Sequence, residues 1–200
     1  MDGQQVKTWE SRCIEESPPA CSAACPVHVD VRGMAELLGK GDFKSAHTLL
    51  CRFIPFPNII GRICDHPCEK ACRRSEAGDA IRIRALEQAV VESGFTAPVF
   101  RTGRAMERKR VAVVGAGLSG LTAAADLTVK GHTVVVFEAT AAPFGRLRNL
   151  DPERLPEPAI DTDLARFDST AVEFRYKVVP DIAALIEEFD AVYLGVGPVP

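Results

Sequence analysis

The sequence has little that would point to nucleic acid or to a membrane. Its 24 lysines and arginines are outnumbered by 27 aspartates and glutamates, for a formal charge of −3. With no overall basic excess to neutralise phosphates, nucleic-acid binding is not expected. No run of about 18 apolar residues occurs, and the opening MDGQQVKTWE lacks an apolar h-region. These absences lead to the expectation of a soluble, cytoplasmic chain with no membrane partner. Internal repeats and low-complexity tracts are also missing. No acid–base pair or activated nucleophile presents itself, so no catalytic residue is assigned. What is present is ordinary for a globular chain, at 46% apolar and 26% charged residues, which argues against wholesale disorder. A length of 200 residues allows one large domain or two small ones.

Seven cysteines, an odd number, all lie between Cys13 and Cys72, whereas a glycine-rich signature occupies 115–120. That separation predicts two modules, 1–95 and 110–200, joined by a linker over 96–109. In a cytosolic chain, clustered cysteines read as metal ligands rather than as a disulfide framework. Cys21-x3-Cys25-Pro26 and Cys64-x3-Cys68-x3-Cys72 set thiolates a few residues apart beside a proline, which suits an iron–sulfur cluster. Soft sulfur ligands suit zinc as well, so the spacing leaves both open. His28 and His66 read as turn residues, or as zinc ligands in that second case, and Cys51 as a buried thiol.

Around the cysteines the pattern predicts helices over 29–39 and 42–52, with Asp42 an N-cap and Gly39 a C-cap. A third helix is predicted over 80–93, with Ile83, Leu86 and Val90 on one face and Gly94 ending it. IPFPNIIG, with Pro55 and Pro57, reads as a turn. No strand is predicted in this module. The linker TAPVFRTGRAMERKR has five basic residues and one acidic, and reads as solvated.

The second module changes period. RVAVVG is a buried-type strand, LSGLTAAADLTVKG a helix and TVVVFE another strand, a β–α–β unit that builds a parallel sheet. After a proline-rich crossing, VEFRYKV reads as strand, DIAALIEEF as helix and AVYLGVG as strand. Gly115, Gly117 and Gly120 form G-x-G-x-x-G in the required place, after a strand and opening a helix. Gly115 permits the tight turn, Gly117 lets a pyrophosphate approach the backbone, and Gly120 lets the helix pack on the strand. Ala116, Leu118 and Ser119 complete the turn, where the helix N-terminus offers N–H groups to phosphate. Glu138, at the end of the next strand, would accept hydrogen bonds from ribose hydroxyls and repel a 2′-phosphate. That favours FAD or NAD over NADP.

ESRCIEESPPACSAACPVHVDV, FPNIIGRICDHPCEKAC and IRIRALEQ resemble the N-terminal iron–sulfur domain of the glutamate synthase small subunit, also found in dihydropyrimidine dehydrogenase. VAVVGAGLSG through FEA, RLP, VEF and DAVYLGVG resembles the flavin domain that follows it in that family. The resemblance implies an α plus α/β fold: an all-helical, ferredoxin-like domain carrying [4Fe–4S] clusters, then a partial Rossmann-type FAD/NAD-binding domain. It further implies two interleaved ligand sets. One comprises Cys13, residue 16, Cys21 and Cys72; the other comprises Cys25, Cys64, Cys68 and Glu87. Gly145 and Arg146 would join the FAD site.

Three departures stand out. Glu16 occupies the place of a thiolate, so the first set could hold a site-differentiated cluster, a three-iron cluster or none. Phe144 replaces one of a glycine pair. The family's nicotinamide-binding domain is not seen before residue 200. The expected function is an electron-transfer module of an FAD- and [4Fe–4S]-dependent NAD(P)H oxidoreductase, working with a partner subunit or with a missing C-terminal NAD(P)H domain. The alternative is a non-redox assembly module, its cysteines holding zinc or nothing.

Overall fold

The computed structural model describes residues 2–197, apart from the side chains of Arg12 and Ile14. Residues 198–200, expected to follow the last strand, lie outside the described residues. The chain divides into two compact units, Met1–Ala97 and Pro98–Pro200.

The first unit is helix and turn, with no strand among its described residues. Helix α1 (Gly3–Glu10) runs into a π-helical turn, Ser11–Glu15, which carries Cys13. Next come α2 (Ala20–Ala24), α3 (Val31–Gly39), α4 (Phe43–Phe53), α5 (Pro57–Ile63), α6 (Pro67–Lys70) and α7 (Ile83–Glu92). Asp30 and Asp42 start α3 and α4 by accepting the amides of Gly33 and Ser45, both at 2.9 Å. Asp42 is the cap the sequence predicts. At the end of α3 the left-handed residue is Gly41 (φ +73°) rather than Gly39, which stays helical. IPFPNIIG is not only a turn. Pro57 opens α5 at its first position, where a missing N–H costs nothing and the fixed φ favours a helix. The core of this unit joins Val29, Met34, Leu50, Ile83 and Val90 to Cys68, with Cys21 and Cys25 packed against it.

The second unit is a four-stranded, wholly parallel sheet in the order β3-β2-β1-β4. Its strands are β1 (Arg110–Val114), β2 (Thr133–Glu138), β3 (Glu173–Tyr176) and β4 (Ala191–Leu194), with Val113 opposite Val136 and Tyr193 in register. Helix α8 (Leu118–Val129) crosses from β1 to β2 and packs on both and on β4. Helix α9 (Glu157–Leu164) lies within the proline-rich crossing, and α10 (Ile182–Glu188) covers the face formed by Ala112, Val114, Val135 and Phe137. The basic segment read as solvated is instead fastened at its start. Phe100 is buried against Phe167 (ring centroids 4.9 Å apart) and beneath Arg166, which donates to the Pro98 carbonyl. Further on, the Gly103 amide donates to Thr128 O at the end of α8. Among the described residues no helix is long and apolar enough to cross a membrane.

Candidate functional site

None of the seven cysteines forms a disulfide, and the structure places the six expected ligand cysteines in two neighbourhoods. Cys13, on the π-helical turn, Cys21 on α2, and Cys72, just after α6, line one cavity of about 70 Å³. Arg32 and Arg73 also border it, and the remaining wall is apolar. Burial pushes the Cys13 and Cys21 thiols up, and a thiolate at Cys72 adds to this in both cases. Arg32 works the other way on Cys13.

The second set draws on the ends of short helices. Cys25 caps α2, Cys64 caps α5, Cys68 lies in α6 and Glu87 on the inner face of α7. Burial and then the Glu87 charge push the Cys68 thiol up to about 12. Cys64 is raised by burial too, and feels Glu87 and Cys25. Glu87 is not the solvated helix residue that its type suggests. It is 6% exposed, and burial lifts its carboxyl to about 7. The Nε2 of His66 lies 3.9 Å from it and is a buried atom without a hydrogen-bond partner among the described residues. Burial lowers the pKa of His66, so burial works against the charged form of both groups.

The donor set, thiols with one buried carboxylate, suits a soft-metal centre. Among the described residues no three His, Cys, Asp or Glu side chains are gathered as one metal ion would need. Apolar walls that disfavour bare thiolates also call for a cationic partner for the sulfur. Two backbone amides already point at sulfur, His66 N to Cys64 Sγ and Ile81 N to Cys72 Sγ, each at 3.4 Å. Such N–H···S contacts are among the groups that tune cluster potential. Sequence reasoning missed both amides and both arginines; the adjoining Cys72-Arg73 was the one legible hint.

Glu87 gives a direct test on the metal-free chain. Its folded-state pKa lies above the usual carboxylate value, so the fold holds the protonated form. The associated stability is present at acid pH and is lost as pH rises from 4.5 through about 7. The loss should be on the order of 3 kcal/mol. Urea melts on either side of this window should show it, and Glu87→Gln should flatten the difference.

In the second unit, G-x-G-x-x-G forms the turn between β1 and α8. Gly115 has φ +99°, and a Cβ there would sit 2.5 Å from Gly195 O. A Cβ on Gly120 would overlap the Gly115 carbonyl, so helix and strand meet at bare backbone. At Gly117 a Cβ would find nothing nearer than Gly195 O at 4.0 Å, so the turn faces open space where a pyrophosphate would lie. The first turn of α8 brings the amides of Leu118, Ser119 and Gly120, which have no partners within the helix. The Ala116 amide is directed elsewhere, to Glu138 Oε2 at 2.7 Å. The Ser119 hydroxyl bonds to Tyr193 at 2.7 Å. Glu138 Oε1 accepts from the Thr140 amide and hydroxyl, both at 2.8 Å. Burial opposes its charge, but these bonds outweigh burial and hold the carboxyl below its usual range. Phe144 adopts φ +59°, the region that favours glycine, and donates its amide to Ala116 O at 2.8 Å with its ring buried. Gly145 follows beside Thr140, and the exposed Arg146 reaches toward Gly197.

The chain is similar to known proteins. Residues 1–98 match the family described as dihydropyrimidine dehydrogenase domain II, 4Fe-4S cluster, and residues 113–170 match the NAD(P)-binding Rossmann-like domain. The NADPH-Fe(3+) oxidoreductase subunit beta of Geobacter sulfurreducens is 29% identical, over 93% of this chain and 29% of that protein. The glutamate synthase [NADPH] small chain of Mycobacterium tuberculosis is 34% identical, over 98% of this chain and 42% of that protein. The NADP(+)-dependent formate dehydrogenase subunit beta of Moorella thermoacetica is 27% identical, over 88% and 29%. The chain thus spans less than half the length of these curated relatives. It is similar, in order, to the dihydropyrimidine dehydrogenase domain II, 4Fe-4S cluster family over residues 1–98 and to the NAD(P)-binding Rossmann-like domain over residues 113–170.

Proposed function

We propose that the chain is an electron-transfer module of a flavin- and [4Fe–4S]-dependent NAD(P)H oxidoreductase. The observation that carries this reading is the sorting of six thiols into two sets: Cys13, Cys21 and Cys72 around one cavity, and Cys25, Cys64 and Cys68 beside the buried Glu87. FAD is the dinucleotide assigned to the turn over Gly115–Gly120, with Glu138 on a ribose and Gly145 and Arg146 closing the far side. When bound, flavin would take an electron pair from a donor and release the electrons singly to clusters. The chain's own residues would bind and orient these groups and aim amides at sulfur. The relatives' names, which speak of NADPH oxidoreductase and formate dehydrogenase subunits, support this reading.

Anaerobic purification with iron, sulfide, zinc and flavin assays on one sample tests it. Iron, sulfide and flavin with visible absorption are expected. A colourless, zinc-bearing and flavin-free protein would overturn the reading in favour of a non-redox assembly module.

A partner subunit, or further chain carrying an NAD(P)H domain, completes the proposal. The 200 residues contain one G-x-G-x-x-G, while hydride transfer from a nicotinamide to flavin calls for a second dinucleotide site. Strand β4 lies at an edge of the sheet with Leu194 57% exposed, where added strands would pair. The chain alone is therefore expected not to reduce dyes with NADH or NADPH. Steady turnover without a partner would refute that dependence.

A further inference from the structure

Resting on the reading that Cys13, Cys21 and Cys72 hold one cluster, we propose that Arg73 withholds Glu16 from it and that its fourth corner has no protein ligand. Glu16 lies three residues beyond Cys13, near enough for its charge to raise the Cys13 thiol. A carboxylate in that place can reach iron or pair with a cation, and here one guanidinium engages both of its oxygens. Arg73 Nη2 donates to Oε1 at 3.3 Å and Arg73 Nε to Oε2 at 3.4 Å.

Arg73 is itself held in place. It follows Cys72 directly, its Nη1 donates to Glu76 at 3.3 Å, and its carbonyl accepts the Trp9 indole N–H at 2.8 Å. The same segment thus supplies one thiolate of the set and the cation that ties up the carboxylate. The cavity wall agrees, since it includes the three cysteines, Arg32 and Arg73 but not Glu16. Cluster iron prefers soft sulfur donors, so a hard carboxylate already paired with a guanidinium competes poorly for it. Solvent would then complete the fourth iron.

Such a corner is labile in a defined way. Ferricyanide would take one electron from the [4Fe–4S]2+ cluster, and the oxidised cube would release one Fe2+ to leave [3Fe–4S]+. One electron from dithionite and one Fe2+ would rebuild it.

The test uses the full chain reconstituted anaerobically with iron and sulfide, read by EPR and iron count during ferricyanide titration. The parent should develop a three-iron signal as about one iron per chain is released, reversed by Fe2+ and dithionite. Glu16→Gln should leave iron content and signal at parent levels. Glu16→Cys should abolish the signal by supplying a fourth thiolate, and Arg73→Gln should weaken it by freeing the carboxylate. No signal in the parent, iron loss in Glu16→Gln, or an undiminished signal in Arg73→Gln would each overturn the proposal. So would a signal that survives Glu16→Cys but disappears in Glu87→Cys, because the labile corner would then lie in the other set. Full iron retention in Cys13→Ser and Cys72→Ser would instead remove the cluster reading on which the proposal stands.

Discussion

Replacing Cys64 or Cys68 with serine should strip iron from the helical unit and loosen its fold. Cys68 is 5% exposed and belongs to the core with Met34, Leu50 and Ile83, so metal ligation and core packing meet at one side chain. The unit is built from short helices, two of them only four and five residues long, which cannot persist without tertiary support. A cluster held by Cys25 after α2, Cys64 after α5 and Cys68 on α6 would tie together segments that are distant in sequence. Metal binding that organises a small domain contributes on the order of 10 kcal/mol, so even partial loss should lower Tm by roughly 20 °C. Iron assay and thermal melts under anaerobic conditions check this, with Cys51→Ser as a control expected to keep its iron. Full iron and an unchanged Tm in both variants would show that these thiols are not ligands.

The second large effect is expected at Gly117. Its φ of −79° is open to any residue, and an added Cβ would touch nothing in the fold, so Gly117→Val should fold normally. A branched side chain would then stand where the proposed FAD would place its pyrophosphate, and FAD affinity should fall by about 100-fold or more, roughly 3 kcal/mol. Gly115 and Gly120 are poorer probes, because any side chain there would strike backbone and disturb the fold itself. Glu138→Ala should cost roughly 1–3 kcal/mol in FAD affinity, partly through the Ala116 amide that it leaves unpaired. Flavin fluorescence titration, with Tm as the measure of folding, separates binding from stability. Unchanged affinity in both variants would remove the basis for the site.

Position 87 shows how near the sequence comes to the site and where it stops. Ile83, Glu87, Val90 and Val91 follow the helical spacing of one inward face, so the burial of Glu87 was readable from period alone. Residue type argued against it, because an isolated buried carboxylate is costly unless something meets it. What lies beside it is the buried Nε2 of His66, 3.9 Å away and 21 residues back in the chain.

Local chemistry was sufficient for the framework. Alternation and period separated a helical first unit from a parallel β–α–β second one, Asp42 caps α4, and Gly115 and Gly120 form the tight turn and close approach between β1 and α8. These features depend on neighbours within a turn or a strand, which a sequence shows directly. The remainder was settled by groups brought together across the chain. Glu16 is taken by Arg73, 57 positions away, and Phe144 accepts a left-handed backbone beside Ala116. Phe100 fastens a basic segment to Phe167 that charge alone describes as solvated. Which cation neutralises which carboxylate, and which ring covers which strand, depends on distances that only the folded chain sets. Coulomb attraction and apolar burial act through space rather than along the sequence.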